Sequence, residues 1–156
     1  MKGFLSYAHH NAAECATFRA HLTALRRGFS IDVWTDHEIN AGTVWEDRIA
    51  DAIAAANIFF LLISPAFIDS DYVYTKEIPA IKDRRRTDNA LVLPIVLARC
   101  DWKLIAGSLQ AVPMKAGKLT PIIDWRPTSN GYDQARAEMA KAITDHAGMT
   151  PTGIKW

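Results

Sequence analysis

The sequence predicts an α/β protein: a flavodoxin-like, doubly wound sandwich whose five-stranded parallel sheet is flanked by helices. Three observations point there. Short apolar runs alternate with longer stretches of helical periodicity. The run Ile58-Phe59-Phe60-Leu61-Leu62-Ile63 is continuous, apolar and rich in β-branched and aromatic residues, as a central strand covered on both faces requires. Strands separated by helices imply right-handed β-α-β crossovers, and these build a parallel sheet.

The first element is Gly3-Phe4-Leu5-Ser6-Tyr7, a short buried strand. Asn11 to Arg27 carries Ala12, Cys15, Phe18, Leu22 and Leu25 at helical spacing, with Asn11 placed to cap the helix and Gly28 to end it. Ile31-Asp32-Val33-Trp34-Thr35 is the second strand. A loop from Asp36 to Gly42 leads to a second helical stripe of Trp45, Ile49, Ala52, Ile53 and Ala56. The third strand, Ile58 to Ile63, stops at Ser64-Pro65. Tyr72 to Arg85 reads as the third helix, which Pro79 must kink or interrupt because proline lacks an N–H and crowds the preceding turn.

Leu91 to Leu97 is the fourth strand, and its Pro94 implies a missing ladder bond and a place near the sheet edge. Residues 101–118 are irregular, with a weak helical pattern from Trp102 to Leu109. Leu119 to Trp125 is the expected fifth strand, and Asn130-Gly131 a turn. Asp133 to His146 is the last helix, with Gly148 at its end. The expected organisation is one domain over residues 1–148 and a tail or linker over residues 149–156.

A chain of 156 residues suits one domain. At that size roughly 70% of the unfolded surface is buried, enough for a true core. A net charge of +1 supplies no global field for nucleic acid or an anionic membrane, so neither is an expected partner. Cys15 and Cys100 form neither a metal spacing nor a disulfide framework, which points to a reducing, cytoplasmic setting. The opening residues do not make a signal peptide, and no apolar stretch is long enough to span a bilayer.

Dinucleotide, P-loop and nucleophile-elbow motifs are absent, and no acidic cluster follows the first strand. No metal site is expected either: His9-His10 lacks a third ligand. Arg84-Arg85-Arg86 reads as a solvated helix end. The informative carboxylate is Glu77. It follows the third strand and an aromatic-flanked segment, so it belongs near the carboxyl edge of the sheet, where ligands of open α/β sheets bind.

Three blocks, in this order and spacing, resemble the TIR (Toll/interleukin-receptor) domain over nearly the whole chain. They are Phe4-Leu5-Ser6-Tyr7; Val33-Trp34-Thr35-Asp36 through Ile39, Gly42 and Trp45-Glu46-Asp47-Arg48-Ile49; and Leu62-Ile63-Ser64-Pro65, then Ser70, Tyr72 and Lys76-Glu77-Ile78. The last block is more similar to bacterial, NAD-cleaving members than to animal receptor adaptors. The resemblance implies an NAD+ hydrolase with Glu77 as the catalytic residue, and NAD+ as substrate with no separate cofactor. It implies that Trp45 lines the nicotinamide pocket and that Ser6, Tyr7, Asp36 and Tyr72 contact substrate. It also implies self-association through TIR–TIR contacts, with the Asp36-to-Trp45 loop completing a neighbour's pocket. A sensor domain or partner protein and a role in anti-phage defence come with it. The alternatives are a TIR cyclase making a cyclic ADP-ribose signal, and a non-enzymatic interaction module.

The chain departs from some members in having Tyr72, Val73 and Tyr74 where a tryptophan stands, and Ala8, His9 and His10 where arginines stand. The chemistry nevertheless suits one carboxylate. The nicotinamide–ribose bond has a cationic leaving group that departs neutral, so no general acid is needed, unlike the carboxylate pair of ordinary glycosidases. One carboxylate can bind the ribose hydroxyls and offset the oxocarbenium-like charge. An aromatic wall can stack on the cationic ring. Plainer roles also fit these residues: Trp45 as core with Ile49 and Ala52, Asp36 as a loop cap, Ser6 satisfying a strand end, Tyr72 packing on the sheet.

Overall fold

The computed structural model describes residues 1–36, 42 and 44–156. Most of the expected Asp36-to-Gly42 loop, including Ile39, therefore lies outside the described residues. Along the chain run β1 (Lys2–Tyr7), α1 (Ala12–Gly28), β2 (Asp32–Trp34), α2 (Trp45–Ala55), β3 (Ile58–Ile63) and α3 (Pro65–Asp69). Then come α4 (Ile78–Asp88), β4 (Leu91–Val96), α5 (Lys103–Ala106), β5 (Met114–Lys115), β6 (Lys118–Leu119) and α6 (Thr128–Ala147).

The architecture is α/β and flavodoxin-like, with helices on both faces of a parallel sheet. Among the described residues that sheet has four strands in the order β2-β1-β3-β4. Phe4 pairs with Trp34 on one side and Phe59 on the other. β3 and β4 are in register from Ile58–Leu91 to Ile63–Val96. All of β3 is buried, because it has a strand on either side and helices over both faces.

Alternation along the strands divides the core into two layers. Leu5, Phe60 and Leu62 meet Phe18 and Leu22 of α1 and Met139 of α6. On the other face Phe4, Phe59 and Ile63 meet Ile49 and Ile53 of α2, Phe67 of α3 and Ile81 of α4. The chain crosses from β1 to β2 on one face and returns from β2 to β3 on the other. The loops that leave β1 and β3 therefore diverge, and a crevice opens at the carboxyl edge between them.

The expected fifth strand is not formed. Leu119 pairs instead with Met114 in the short antiparallel β5–β6 hairpin, and Ile122–Asp124 is a turn of 3-10 helix. Ile122 is fully buried and the Ile123 N–H bonds to the Leu97 carbonyl, so the apolar run marks burial under α6 rather than extended backbone. Val112 bridges to β4 at the vacant place beside it: its N–H bonds to the Pro94 carbonyl and its carbonyl accepts from Val96. β4 is accordingly an edge of the regular sheet, which is where Pro94 is tolerated.

Asn130-Gly131 is not a turn either. α6 begins at Thr128 and runs through both. A Cβ on Gly131 would stand 2.8 Å from Trp125 Cδ1 and 3.0 Å from the Ile122 carbonyl oxygen, so the glycine serves close packing and not backbone freedom. The expected third helix, Tyr72 to Arg85, forms as the turn Val73–Glu77 running into α4, and α3 is a further short helix before it. Beyond α6 the tail is not wholly loose: the Thr152 N–H bonds to the Gly28 carbonyl. Among the described residues no helix is long and apolar enough to cross a membrane.

Candidate active site

Glu77 owes its position to Pro79. In a regular helix the Pro79 ring would crowd the Thr75 carbonyl and leave it without a donor. The chain instead takes a wide π-helical turn over Val73–Glu77, and the Ile78 N–H reaches back to the Val73 carbonyl. Pro79 then falls in the first turn of α4, where its missing N–H costs nothing. Turns of this kind rotate the residues they contain, and here Val73 and Glu77 both point inward. Ser70 starts the segment by accepting the Val73 N–H.

Ser64 fixes the neighbouring walls. Its hydroxyl accepts the Phe67 N–H at 3.1 Å, capping α3, and donates to Asn11 at 2.6 Å. Asn11 is thus committed to the turn His9–Asn11 rather than to capping α1 with its side chain. The loop after β1 and the loop after β3 are pinned together at the crevice.

The resulting cleft has a volume of about 670 Å³. Ser6, Tyr7, Asp36, Trp45, Tyr72 and Glu77 all line it, so the six residues singled out in the sequence share one site. Glu77 forms the floor at 7% exposure, and the Ser6 hydroxyl donates to its Oε1 at 3.4 Å. Burial pushes the Glu77 carboxyl up to about 7. The Ser6 hydrogen bond and His9 pull it down, while the charge of Asp36 adds to the rise. Burial also raises the Tyr72 phenol, with Glu77 and Glu46 adding to it.

Asp36 sits at the rim. The Tyr7 hydroxyl donates to its Oδ1 at 3.0 Å, and His9 Nε2 contacts its Oδ2. Burial, then Asp36, pushes the Tyr7 phenol far above its ordinary range, so Tyr7 stays a donor. Trp45 is not a core residue: it is 47% exposed at the start of α2, and its ring meets Tyr72 at 4.7 Å and 52°. Its place on the stripe with Ile49 ends at the helix terminus, where the sheet no longer covers it.

Two contributors were not evident as site residues in the sequence. In the sequence His9 reads as an incomplete metal site and as standing where other members carry arginine, yet it is the partner of Asp36. Trp34 stacks on Phe4 with centroids 5.4 Å apart and walls the cleft. The alternation of β2, which sends Trp34 to the same face as Phe4, is the signal that could have found it. Among the described residues no group of three or more His, Cys, Asp or Glu side chains is arranged to hold a metal. No Lys or Arg is among the described residues that line the cleft. A buried carboxyl that ionises near pH 7 under aromatic walls can face and stabilise a positive charge.

Comparison with known proteins bears on this arrangement. The family model described as TIR domain matches residues 4–144. A curated protein of Sinorhizobium fredii, described as the uncharacterized protein y4lF, is 36% identical over 146 residues, which is 93% of this chain. The chain spans only 43% of that relative's length.

Proposed function

This chain belongs to the TIR-domain family, and on that premise we propose that it is an NAD+ hydrolase that releases nicotinamide and ADP-ribose. The observation that carries the reading is Glu77, buried at the floor of an aromatic-walled cleft at the β1/β3 crevice. The nicotinamide ring lies against Trp45 and Tyr72, whose faces favour a cationic ring. The ionised Glu77 carboxylate then faces the ribose. When the bond from C1′ to the ring nitrogen breaks, its electron pair leaves with nicotinamide and positive charge spreads over the sugar. Glu77 offsets that charge at short range in a poorly solvated place, where an electrostatic contact is strongest. Water adds its oxygen to C1′ and gives up a proton.

Self-association, an attached sensor domain or partner, and a defence role belong to the same proposal. The share of the relative's length outside this alignment leaves room for further segments. The deciding experiment measures nicotinamide release from NAD+ by the chain clustered on a scaffold, with products read by mass. The expected result is ADP-ribose from the wild type and a loss of at least about a thousandfold in kcat for a folded Glu77→Gln. A cyclic product would make the chain a cyclase, and no turnover from the clustered wild type would make it an interaction module.

A further inference from the structure

The charge lining the cleft is mainly acidic. Asp36, Asp69 and Glu77 line it, and the basic side chains that line it among the described residues are His9 and His10. His9 is already engaged with Asp36. Asp69 is exposed at the end of α3 and joins no ion pair among the described residues. Glu46 stands close enough to raise the Tyr72 phenol, so its charge reaches the aromatic wall as well.

The sequence accounts for this balance. Residues 3–18, 28–47 and 49–75 contain neither lysine nor arginine. Among the described residues, those stretches supply every lining residue except Glu77. The loop after Asp36 belongs to the second stretch, so the same loop lent by a neighbouring copy brings no lysine or arginine either. Arg19 on α1 is felt by Tyr7 but does not line the cleft. Free helix starts can hold phosphate in place of such side chains. Here the starts at this edge are already compensated: α1 carries Glu14 in its first turn, α2 carries Glu46 and Asp47, and Ser64 accepts the Phe67 N–H of α3.

Carboxylates and aromatic faces attract a cationic ring, whereas phosphate calls for arginine, lysine or a free helix start. A cleft of this charge draws the ring in and repels phosphates that follow it past Asp36 and Asp69. We propose that the cleft reads the nicotinamide riboside half of its substrate and discriminates against phosphate, so that the ribonucleoside of a cationic base is cleaved in preference to its nucleotides. The inference rests on the cleavage at Glu77 proposed above and narrows its substrate class: NAD+ remains a substrate, but a poorer one. In the riboside the bond from C1′ to the ring nitrogen breaks and its electron pair leaves with neutral nicotinamide. Water gives its oxygen to C1′ and a proton to solvent, and ribose is the second product.

The test compares kcat/KM for nicotinamide riboside, nicotinamide mononucleotide and NAD+, using the full chain clustered on a scaffold. The riboside should lead both nucleotides by at least about tenfold, because bringing like charges together is costly. Asp69→Lys reverses one of the charges at an exposed position and should cut that lead at least about threefold. Loss of packing alone would lower all three rates and leave their ratio where it was. Nucleotides cleaved as well as the riboside, or a lead that Asp69→Lys leaves unchanged, would overturn the inference while the cleavage reading stands. Failure of all three compounds to release nicotinamide would overturn the cleavage reading, and this inference with it.

Discussion

In the proposed reaction Glu77 carries charge in a place that holds little water, and its surroundings only partly relieve the cost. The rise of its carboxyl from the ordinary 4.5 to about 7 is equivalent to about 3 kcal/mol. The sign follows from comparing the two states. Below pH 4.5 the group is neutral both folded and unfolded. Above about 7 it is ionised in both, and only the folded chain bears the burial cost. Glu77→Gln escapes this cost, so its stability relative to wild type should increase by about 3 kcal/mol between pH 4.5 and pH 8, read from urea melts at each pH. Over the same interval wild-type kcat/KM should rise with pH through about 7, since the ionised form is the working one. A flat stability difference would mean that Glu77 is well solvated. The block of sequence around this carboxylate singles it out, but does not reveal its burial. Burial depends on a π-turn, and Pro79 alone does not distinguish a π-turn from a simple kink.

At the scale of elements, the strands and helices before residue 97, the short α3 apart, follow from periodicity and from the buried run of β3. The region after it does not. There, apolar residues are buried by a hairpin, a 3-10 turn and α6, and a continuous apolar run looks alike in a strand and in a covered turn. Gly131 illustrates the difficulty, since a glycine demanded by Trp125 is indistinguishable in sequence from one demanded by a turn. Gly131→Ala should therefore destabilise the protein by about 1–3 kcal/mol through overpacking, although alanine is the better helix former. Denaturant unfolding checks this. A stabilising Gly131→Ala would show that Trp125 yields without cost. Asp36 and Trp45, which the family resemblance singles out, both line the cleft, whereas the Asp36–His9 contact needed the loop geometry after β1.

For the whole molecule, a net charge of +1 conceals a bipolar surface, with acid on α2 and base along α4. Nicotinamide release per molecule should rise with protein concentration and fall with added salt, since screening over roughly 10 Å at 0.1 M weakens exposed charge contacts. Turnover per molecule that stays constant across dilution would show that one copy suffices.

The bond from Thr152 to Gly28 and the contact of the Met1 amino group with the Ser30 carbonyl place Met1 and the Thr152 segment at the amino edge of the sheet. The cleft opens at the carboxyl edge. The molecule can therefore be held from below like a cup by its foot. A label, bead or surface joined at either end leaves the mouth facing outward, and copies anchored side by side on a flat support all present it in the same direction.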